Sequence, residues 1–361
     1  MPARWLGETW RPRVPAAEAA RASEVHAPHR FTAAPPWNLP DRQALPNLRG
    51  WWGFSMRDVP ERLAGPTRLL TIDDARVLTA EVPGSARDYA PAILDRRGRS
   101  LDLREIRFRP FHAMPARQAA RGADLEMGHA TWVAERVFDN YAHWFTAHLP
   151  KLLLLREWGL LEGLVLPAPR PAWLDASLRL VGIDPDAAVQ LPRGGTLRAV
   201  RLTVVESDRF RPELLRAAHA ALSRVTEAEP AARVFISRRS ARGRRLVDEA
   251  GLMPFLLRHG FEAVEMERLD LDEQIALMGR TAVLLAPHGA GLTNMLFCPP
   301  GTRIVEIGDP DYPNPNFYAM AAALGHLYAW IAGRGIGAGH PLDRDLAVEP
   351  EALERLLETL P

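Results

Sequence analysis

Residues 283–307, VLLAPHGAGLTNMLFCPPGTRIVEI, decide the fold. The first four are apolar and lie close to Pro and Gly, a pattern typical of a buried strand in a parallel sheet. A turn of little side-chain bulk follows, and residues 292–297 favour a short helix. A second apolar run then carries Glu306 near its end. This order predicts one unit of an open α/β sheet, whose ligands bind at the C-terminal ends of the strands.

The turn after the first strand is suited to binding an anion. It reads His-Gly-Ala-Gly, and glycine lets a ligand approach the backbone closely. The free N–H groups at the start of the next helix point back toward the turn. The amides concerned are those of Gly289, Ala290, Gly291 and Leu292. A glycine-rich turn alone is weak evidence, but four polar side chains around it favour a ligand site over a purely structural turn. They are His288, Thr293, Asn294 and Glu306.

The length, composition and net charge limit the classes to which this protein can belong. The 361 residues are too many for one ordinary core and suit two domains. Hydrophobic residues at 47% and charged residues at 25% are typical of a soluble globular enzyme. A net charge of +1 argues against a general nucleic-acid-binding surface, which needs clustered positive charge. We therefore expect no nucleic-acid partner.

Cysteine usage and hydropathy predict a cytoplasmic protein. Cys298 is the only cysteine, which excludes an intrachain disulfide and favours a reducing compartment. No apolar run approaches the roughly 18 residues of a membrane span, and the N-terminus lacks the apolar core of a secretion signal. The only lysine is Lys151, so nearly all the positive charge comes from arginine. The planar guanidinium group of arginine can bind two phosphate oxygens at once.

The pattern along the chain predicts three regions. Residues 1–65 are rich in Pro, Ala, Arg and Trp and predict an irregular arm that packs through tryptophans. Residues 66–205 predict an N-terminal domain in which strands alternate with helices, an order typical of a parallel sheet. Residues 206–349 predict a C-terminal α/β domain, and a helix at 350–361 is a candidate to complete the N-terminal one. The expected packing anchors of the arm are Trp37, Trp51 and Trp52.

A predicted helix over residues 140–155 carries His143 and His148. Five residues on an α-helix correspond to about 500° of rotation, so the two rings diverge by roughly 140°. Only one can then face a given point unless Pro150 bends the chain. Either imidazole is a candidate general base, since its ordinary pKa is about 6.5. A buried, hydrogen-bonded histidine is the competing interpretation for each.

Arginines follow the strand predicted at residues 233–237. Arg238 and Arg239 come directly after it, at the strand end where ligands of an open α/β sheet bind. Arg242 and Arg244 we interpret as solvated, which is usual for a run of like charges. The arginines and the amide turn in one unit predict a diphosphate site.

These motifs resemble glycosyltransferase family 61. The resemblance covers roughly residues 75–330 and rests on FISRR at 235–239 with Arg245, APHGAGLTN at 286–294, PPG at 299–301 and NYxHW at 140–144. It implies a GT-B fold, in which two Rossmann-like domains face each other across a cleft. It also implies inverting transfer from a nucleotide sugar, held mainly by the C-terminal domain, without an obligatory metal.

The resemblance implies roles for the candidate residues. Arg238 and Arg239, supported by Arg245 and by the amides of 289–292, would neutralise the leaving diphosphate. His288, with Thr293 or Asn294, would hydrogen-bond the donor, and Glu306 would accept from the ribose. We expect no bound cofactor and a UDP-linked hexose or pentose as co-substrate. The expected acceptor is a glycan or glycolipid of cell-surface polysaccharide synthesis, met by peripheral contact with the inner membrane face.

One position departs from the family pattern. Family members usually carry Asp or Glu four residues after His143, where this chain has Ala147. His143 is then the preferred replacement base and His148 the second choice. The alternative is a catalytically inactive nucleotide-sugar-binding or scaffold protein of the same fold.

Two other mechanisms are weaker. Metal-dependent GT-A transfer needs an Asp-x-Asp motif, and four such pairs make each uninformative. They are Asp184/Asp186, Asp270/Asp272, Asp309/Asp311 and Asp343/Asp345. A lipase-like hydrolase would need a Gly-x-Ser-x-Gly motif, which the sequence lacks.

Overall fold

The computed structural model describes residues 10–50, 52–84, 89–224 and 229–360. Trp51, one predicted packing anchor, lies outside the described residues. The chain forms two compact units, the first from residues 1–29 and 65–209 and the second from residues 30–64 and 210–361. The predicted arm is therefore divided between the units, and the later junction lies close to the predicted division at residue 205.

Both units contain strands and helices. In the described residues the strands are β1 Arg13–Pro15, β2 Arg21–His26, β3 His29–Thr32, β4 Glu61–Ala64, β5 Thr67–Glu81, β6 Tyr89–Leu94, β7 Ser100–Asp102, β8 Leu125–Trp132, β9 Leu164–Ala168, β10 Val189–Pro192, β11 Thr196–Glu206, β12 Ala232–Ile236, β13 Phe261–Val264, β14 Thr281–Pro287, β15 Arg303–Gly308, β16 Leu327–Ala332, β17 Arg334–Ile336 and β18 Asp345–Ala347. The fold class is therefore α/β, as predicted.

The α-helices are α1 Ala16–Ala19, α2 Ala113–Arg121, α3 Tyr141–His143, α4 Leu149–Glu157, α5 Ala172–Leu180, α6 Pro212–Leu222, α7 Glu249–Arg258, α8 Leu271–Gly279, α9 Asn316–Leu324 and α10 Pro350–Glu358. A π-helical turn, Trp144–His148, joins α3 to α4. Short 3₁₀ helices occupy Arg42–Ala44, Met56–Asp58, Pro110–His112, Met266–Arg268 and Ala290–Phe297. Among the described residues, no helix has the length and apolar character needed to cross a membrane.

The first unit is built on a mixed sheet of nine strands. Its order is β1-β7-β6-β5-β11-β8-β9-β10, and β2 also pairs with β5. The predicted parallel arrangement holds for β11, β8, β9 and β10, whereas β5 runs antiparallel to β11. On its other side, β6 pairs only with residues 76–81 of β5. The backbone groups of residues 67–71 still need partners. Strand β2 pairs with that part, so this stretch of the predicted arm is a strand.

The second unit contains a sheet of five parallel strands in the order β13-β12-β14-β15-β16. Strands β14 and β15 are almost wholly buried, as the apolar runs in residues 283–307 predict. The segment over residues 30–64 belongs to this unit. The amide of Trp37 donates to the carbonyl of Tyr328 at 3.0 Å, and Asn38 Nδ2 donates to the carbonyl of Trp330 at 2.8 Å.

Helix α10 lies in the core of the second unit. Its residues Leu353, Leu356 and Leu357 are buried in one cluster with Phe235 and Val305 of the parallel sheet. Their spacing of three and four residues forms one apolar face. The sequence suggests that this helix completes the N-terminal domain, but its leucines cover the other sheet.

We predict that Leu353→Ala lowers the free energy of unfolding of the second unit by about 2–5 kcal/mol, because the side chain is fully buried and a cavity would remain. Urea denaturation at pH 7 measures the change. Leu257→Ala is the matched control, since Leu257 on α7 is 61% exposed. Equal losses in the two variants would contradict the core position of α10.

Candidate functional site

The ends of strands β12 and β14 form the centre of the site. The two strands are neighbours in the parallel sheet, so their C-terminal ends lie together. Arg238 follows β12 and Gly289 follows β14. A Cβ atom at position 289 would overlap the guanidinium group of Arg238. A side chain at this position would displace the guanidinium group from its place against the backbone.

Arg238 and Arg244 form an unneutralised cationic pair. Both are half-buried, and the Nε atom of each is buried with no hydrogen-bond partner in the described residues. Burial and the neighbouring charge of Arg244 lower the pKa of Arg238 to about 10. Burial also lowers the pKa of Arg244, although Tyr312 and Glu306 oppose this. No carboxylate of the described chain forms an ion pair with either, so an anionic ligand would be stabilised here.

The interpretation of Arg244 as a solvated residue is wrong. Arg244 has a positive φ of 57°, in the left-handed region. The side chain is half-buried, whereas Arg242 is exposed, as predicted. A backbone conformation of this kind is rare for residues other than glycine and has no clear signal in the sequence.

Arg239 and Arg245 are engaged elsewhere. Arg239 is 64% exposed and pairs with Glu265, its Nε donating at 2.8 Å. Arg245 is 48% exposed and pairs with Asp345 at 2.6 Å. These carboxylates raise the pKa of both arginines. Of the three arginines assigned to the donor, only Arg238 lies against the turn with its charge unneutralised.

A buried carboxylate positions His288. Glu306 is 1% exposed, and one of its oxygens accepts from His288 Nδ1. The other accepts from the hydroxyl of Tyr328 at 2.7 Å. The contact of Glu306 with a ribose stays a prediction, since each carboxylate oxygen accepts one internal hydrogen bond and keeps a second lone pair. The bond to Nδ1 fixes the ring and leaves Nε2 as the nitrogen for a ligand.

The turn itself is held by internal hydrogen bonds. The amide of Leu292 donates to the carbonyl of Gly289 at 3.0 Å, so it is not available to a ligand. Asn294 Nδ2 donates to the carbonyl of Gly291 at 3.0 Å and braces the turn. Thr293 Oγ1 is buried without a partner in the described part of the chain. The amides of residues 289–291 precede the first bond of the 3₁₀ helix and remain candidate donors.

In the first unit, His148 is a structural residue. It is fully buried, its Nε2 accepts from the amide of Glu135 at 2.9 Å, and its Nδ1 contacts the carbonyl of His143 at 3.0 Å. A π-helical turn brings residues five apart together, which the α-helical rotation did not predict. Pro150 explains the turn, since it has no N–H for the carbonyl four residues before it. With both ring nitrogens used, His148 is excluded as a general base in this conformation.

His143 remains the candidate base. The residue is half-buried, and its Nδ1 has no partner among the described residues. Burial and nearby positive charges lower its pKa well below the ordinary value, so the ring is neutral at physiological pH. Ala147, at the position where the family usually has an acid, is 3% exposed and offers no carboxylate.

Sequence reasoning missed a buried charge cluster beside these histidines. Glu135 is 3% exposed and lies between Lys151 and Arg104, with a short contact to each. Burial opposes ionisation of Glu135, but the two cations lower its pKa to about 2. The signal was present, because a lysine in the apolar run of α4 requires a buried acidic partner.

The four Asp-x-Asp pairs have structural partners. The Asp184 side chain accepts from the amide of Asp186, and Asp270 caps α8. The remaining pairs contribute to ion pairs of Arg344 and Arg245. Within the described ranges, no group of three or more His, Cys, Asp or Glu side chains is arranged to hold a metal ion.

Comparison with known proteins agrees with these motifs. The family described as Glycosyltransferase 61 matches residues 141–305. The resemblance to glycosyltransferase family 61 is confirmed. A beta-1,2-xylosyltransferase, XAX1 of Oryza sativa subsp. japonica, is 35% identical over 92 residues, which are 23% of this chain and 16% of that relative. The chain therefore spans only a small part of the length of that xylosyltransferase.

We predict that acid destabilises the first unit through His148. Burial lowers its folded-state pKa to about 3, whereas the unfolded value is about 6.5. Below pH 6.5 only the unfolded state gains the proton, so stability falls until about pH 3. Between pH 7 and 5 the loss from this residue is about 2 kcal/mol.

Urea denaturation of His148→Gln at the two pH values tests this expectation. Between pH 7 and pH 5, the free energy of unfolding of the variant should fall by about 2 kcal/mol less than that of the wild type. His26→Gln on β2, a partly exposed site, should keep the wild-type pH dependence. An unchanged dependence in His148→Gln would contradict the buried neutral imidazole.

Proposed function

We propose that the protein is an inverting, metal-independent glycosyltransferase of the GT-B type. It moves a hexose or pentose from a UDP-linked donor to a hydroxyl group of a glycan acceptor in cell-surface polysaccharide synthesis. The observation that carries the proposal is the half-buried pair Arg238 and Arg244. Arg238 lies against Gly289, and neither arginine forms an ion pair with a carboxylate of the described chain. The family match over residues 141–305 supports the reaction class. We propose the cytoplasm as the compartment, since the single cysteine is a buried free thiol.

The cationic pair fits the chemistry of the leaving group. Negative charge grows on a nucleoside diphosphate as the glycosidic bond breaks, so groups fixed around it stabilise the transition state. Arg238 and Arg244 supply two such groups, and the first amides after Gly289 supply neutral donors. His288 then hydrogen-bonds the donor through Nε2. In this arrangement the arginines perform the charge neutralisation that a divalent cation performs in metal-dependent transfer.

His143 is the proposed general base. A neutral imidazole can accept the proton of the acceptor hydroxyl as that oxygen attacks the anomeric carbon. The depressed pKa keeps His143 in the neutral, proton-accepting form at physiological pH. Neither Ala147 nor the doubly hydrogen-bonded His148 can perform this step.

A nucleotide-sugar-binding protein without turnover is the second candidate function. Ala147 favours it, since a methyl group cannot replace the acidic residue that the family usually carries. Both functions share the cationic pair, so ligand binding does not separate them. Turnover with a panel of nucleotide sugars does.

We predict that Arg238→Ala and Arg244→Ala each weaken UDP binding by about 1.5–3 kcal/mol, the range for hydrogen bonds to charged groups. Calorimetric titration in the presence of EDTA measures the loss without a contribution from metal. Arg242→Ala is the matched control, since Arg242 lies in the same run but is exposed. Unchanged affinity in both variants would refute the diphosphate site.

We predict that His143→Ala lowers turnover by a factor of about 10² to 10⁴ and leaves UDP affinity nearly unchanged. The acid limb of the pH–rate profile, which the lowered pKa of His143 places well below pH 6.5, should disappear. Initial rates from pH 4 to 8 measure both effects. Full activity in the variant would assign the base to another residue.

A further inference from the structure

A cavity of the second unit is rich in arginine. It has a volume of about 470 Å³, enough for one or two sugar rings. Four arginines line it against two carboxylates. Arg42 pairs with Glu61 at 2.6 Å and Arg49 with Asp58 at 2.9 Å. Arg62 donates to the carbonyl of Phe210 at 3.4 Å, and the fourth arginine is Arg30.

Arg30 is available to a ligand. It is exposed, and no carboxylate of the described residues pairs with it. The paired Arg49 is also 65% exposed, so its guanidinium can contact a second anion at its outer edge. The cavity therefore attracts negatively charged groups.

Aromatic rings supply the other half of the lining. The guanidinium of Arg62 lies 4.7 Å from the centre of the Phe54 ring, and Trp52 lies beside them in the cavity wall. Flat rings with an apolar body suit the C–H faces of a sugar, while the cations suit an acidic substituent. Together they fit a sugar that bears a carboxylate or phosphate.

Ring contacts connect this cavity to the proposed donor site. Trp52 meets Tyr312 edge to face at a centroid distance of 4.9 Å. Tyr312 in turn meets His288 at 6.3 Å. A sugar held by the cavity would thus lie two ring contacts from His288, which belongs to the proposed donor site.

We propose that this cavity binds an acidic sugar of the acceptor glycan. The inference rests on the proposed glycosyl transfer and adds the chemical class of the acceptor. The carboxylate or phosphate contacts Arg30 and Arg49, and the sugar ring packs against Trp52 and Phe54.

Calorimetric titration of the full-length protein tests the inference with defined probes. Tetragalacturonate should bind about tenfold tighter than its methyl ester, and added salt should reduce the difference. Comparing mannose 6-phosphate with mannose tests whether the acidic group is a phosphate. The acidic probe that binds more tightly shows whether the cavity prefers a carboxylate or a phosphate. Equal affinity of acidic and neutral probes in both series overturns the inference, as does inorganic phosphate binding as tightly as mannose 6-phosphate.

Variants assign the effect to the cavity. Arg30→Gln should weaken binding of the acidic probe by about twofold to fivefold, and Arg30→Glu should weaken it further. Arg224→Gln is the matched control, since Arg224 is 51% exposed and pairs with Asp272 outside the cavity. An acidic preference that survives Arg30→Glu overturns the assignment.

A UDP titration of the same samples separates the two proposals. UDP binding without any acidic preference contradicts the acceptor inference alone. Absence of UDP binding contradicts the proposed glycosyl transfer, whatever the cavity binds.

Discussion

The close approach of Arg238 to the backbone of Gly289 is the contact on which the candidate site depends. Parallel pairing places the end of β12 beside the end of β14, and the missing side chain at residue 289 leaves room for the guanidinium group. The charge of Arg244 lowers the pKa of Arg238, and burial lowers the pKa of both, so two like charges are held near each other at a desolvation cost. Such an arrangement is unfavourable in the absence of a ligand and is typical of functional sites.

The sequence predicted most of the second unit because its signals are local. Apolar runs marked β14 and β15, and the glycine-containing turn marked the end of β14. The first unit was predicted less well, since the pairing of β2 with β5 depends on which backbone groups β6 leaves unpaired. That requirement is set by the three-dimensional sheet and has no local pattern.

Within the site, residue types were predicted better than their contacts. The run after β12 indicated arginines for an anion, but carboxylates distant in sequence determine which ones remain unneutralised: Glu265 engages Arg239 and Asp345 engages Arg245. The same holds for Glu306, whose partners on two different elements make it a support for His288. Ion pairs between residues distant in sequence determine these roles, and the spacing of residues along the chain does not reveal which pairs form.

The interleaving of the two units has a consequence for how the chain is made and cut. Residues 30–64 leave the ribosome before the first unit is complete, yet Trp37 hydrogen-bonds to Tyr328, near the other end of the sequence. This segment therefore cannot form that contact until almost the whole chain has been synthesised, although domains usually fold in order from the N-terminus. The family match, residues 141–305, begins inside one unit and ends inside the other. A fragment cut at those limits would contain neither core in full.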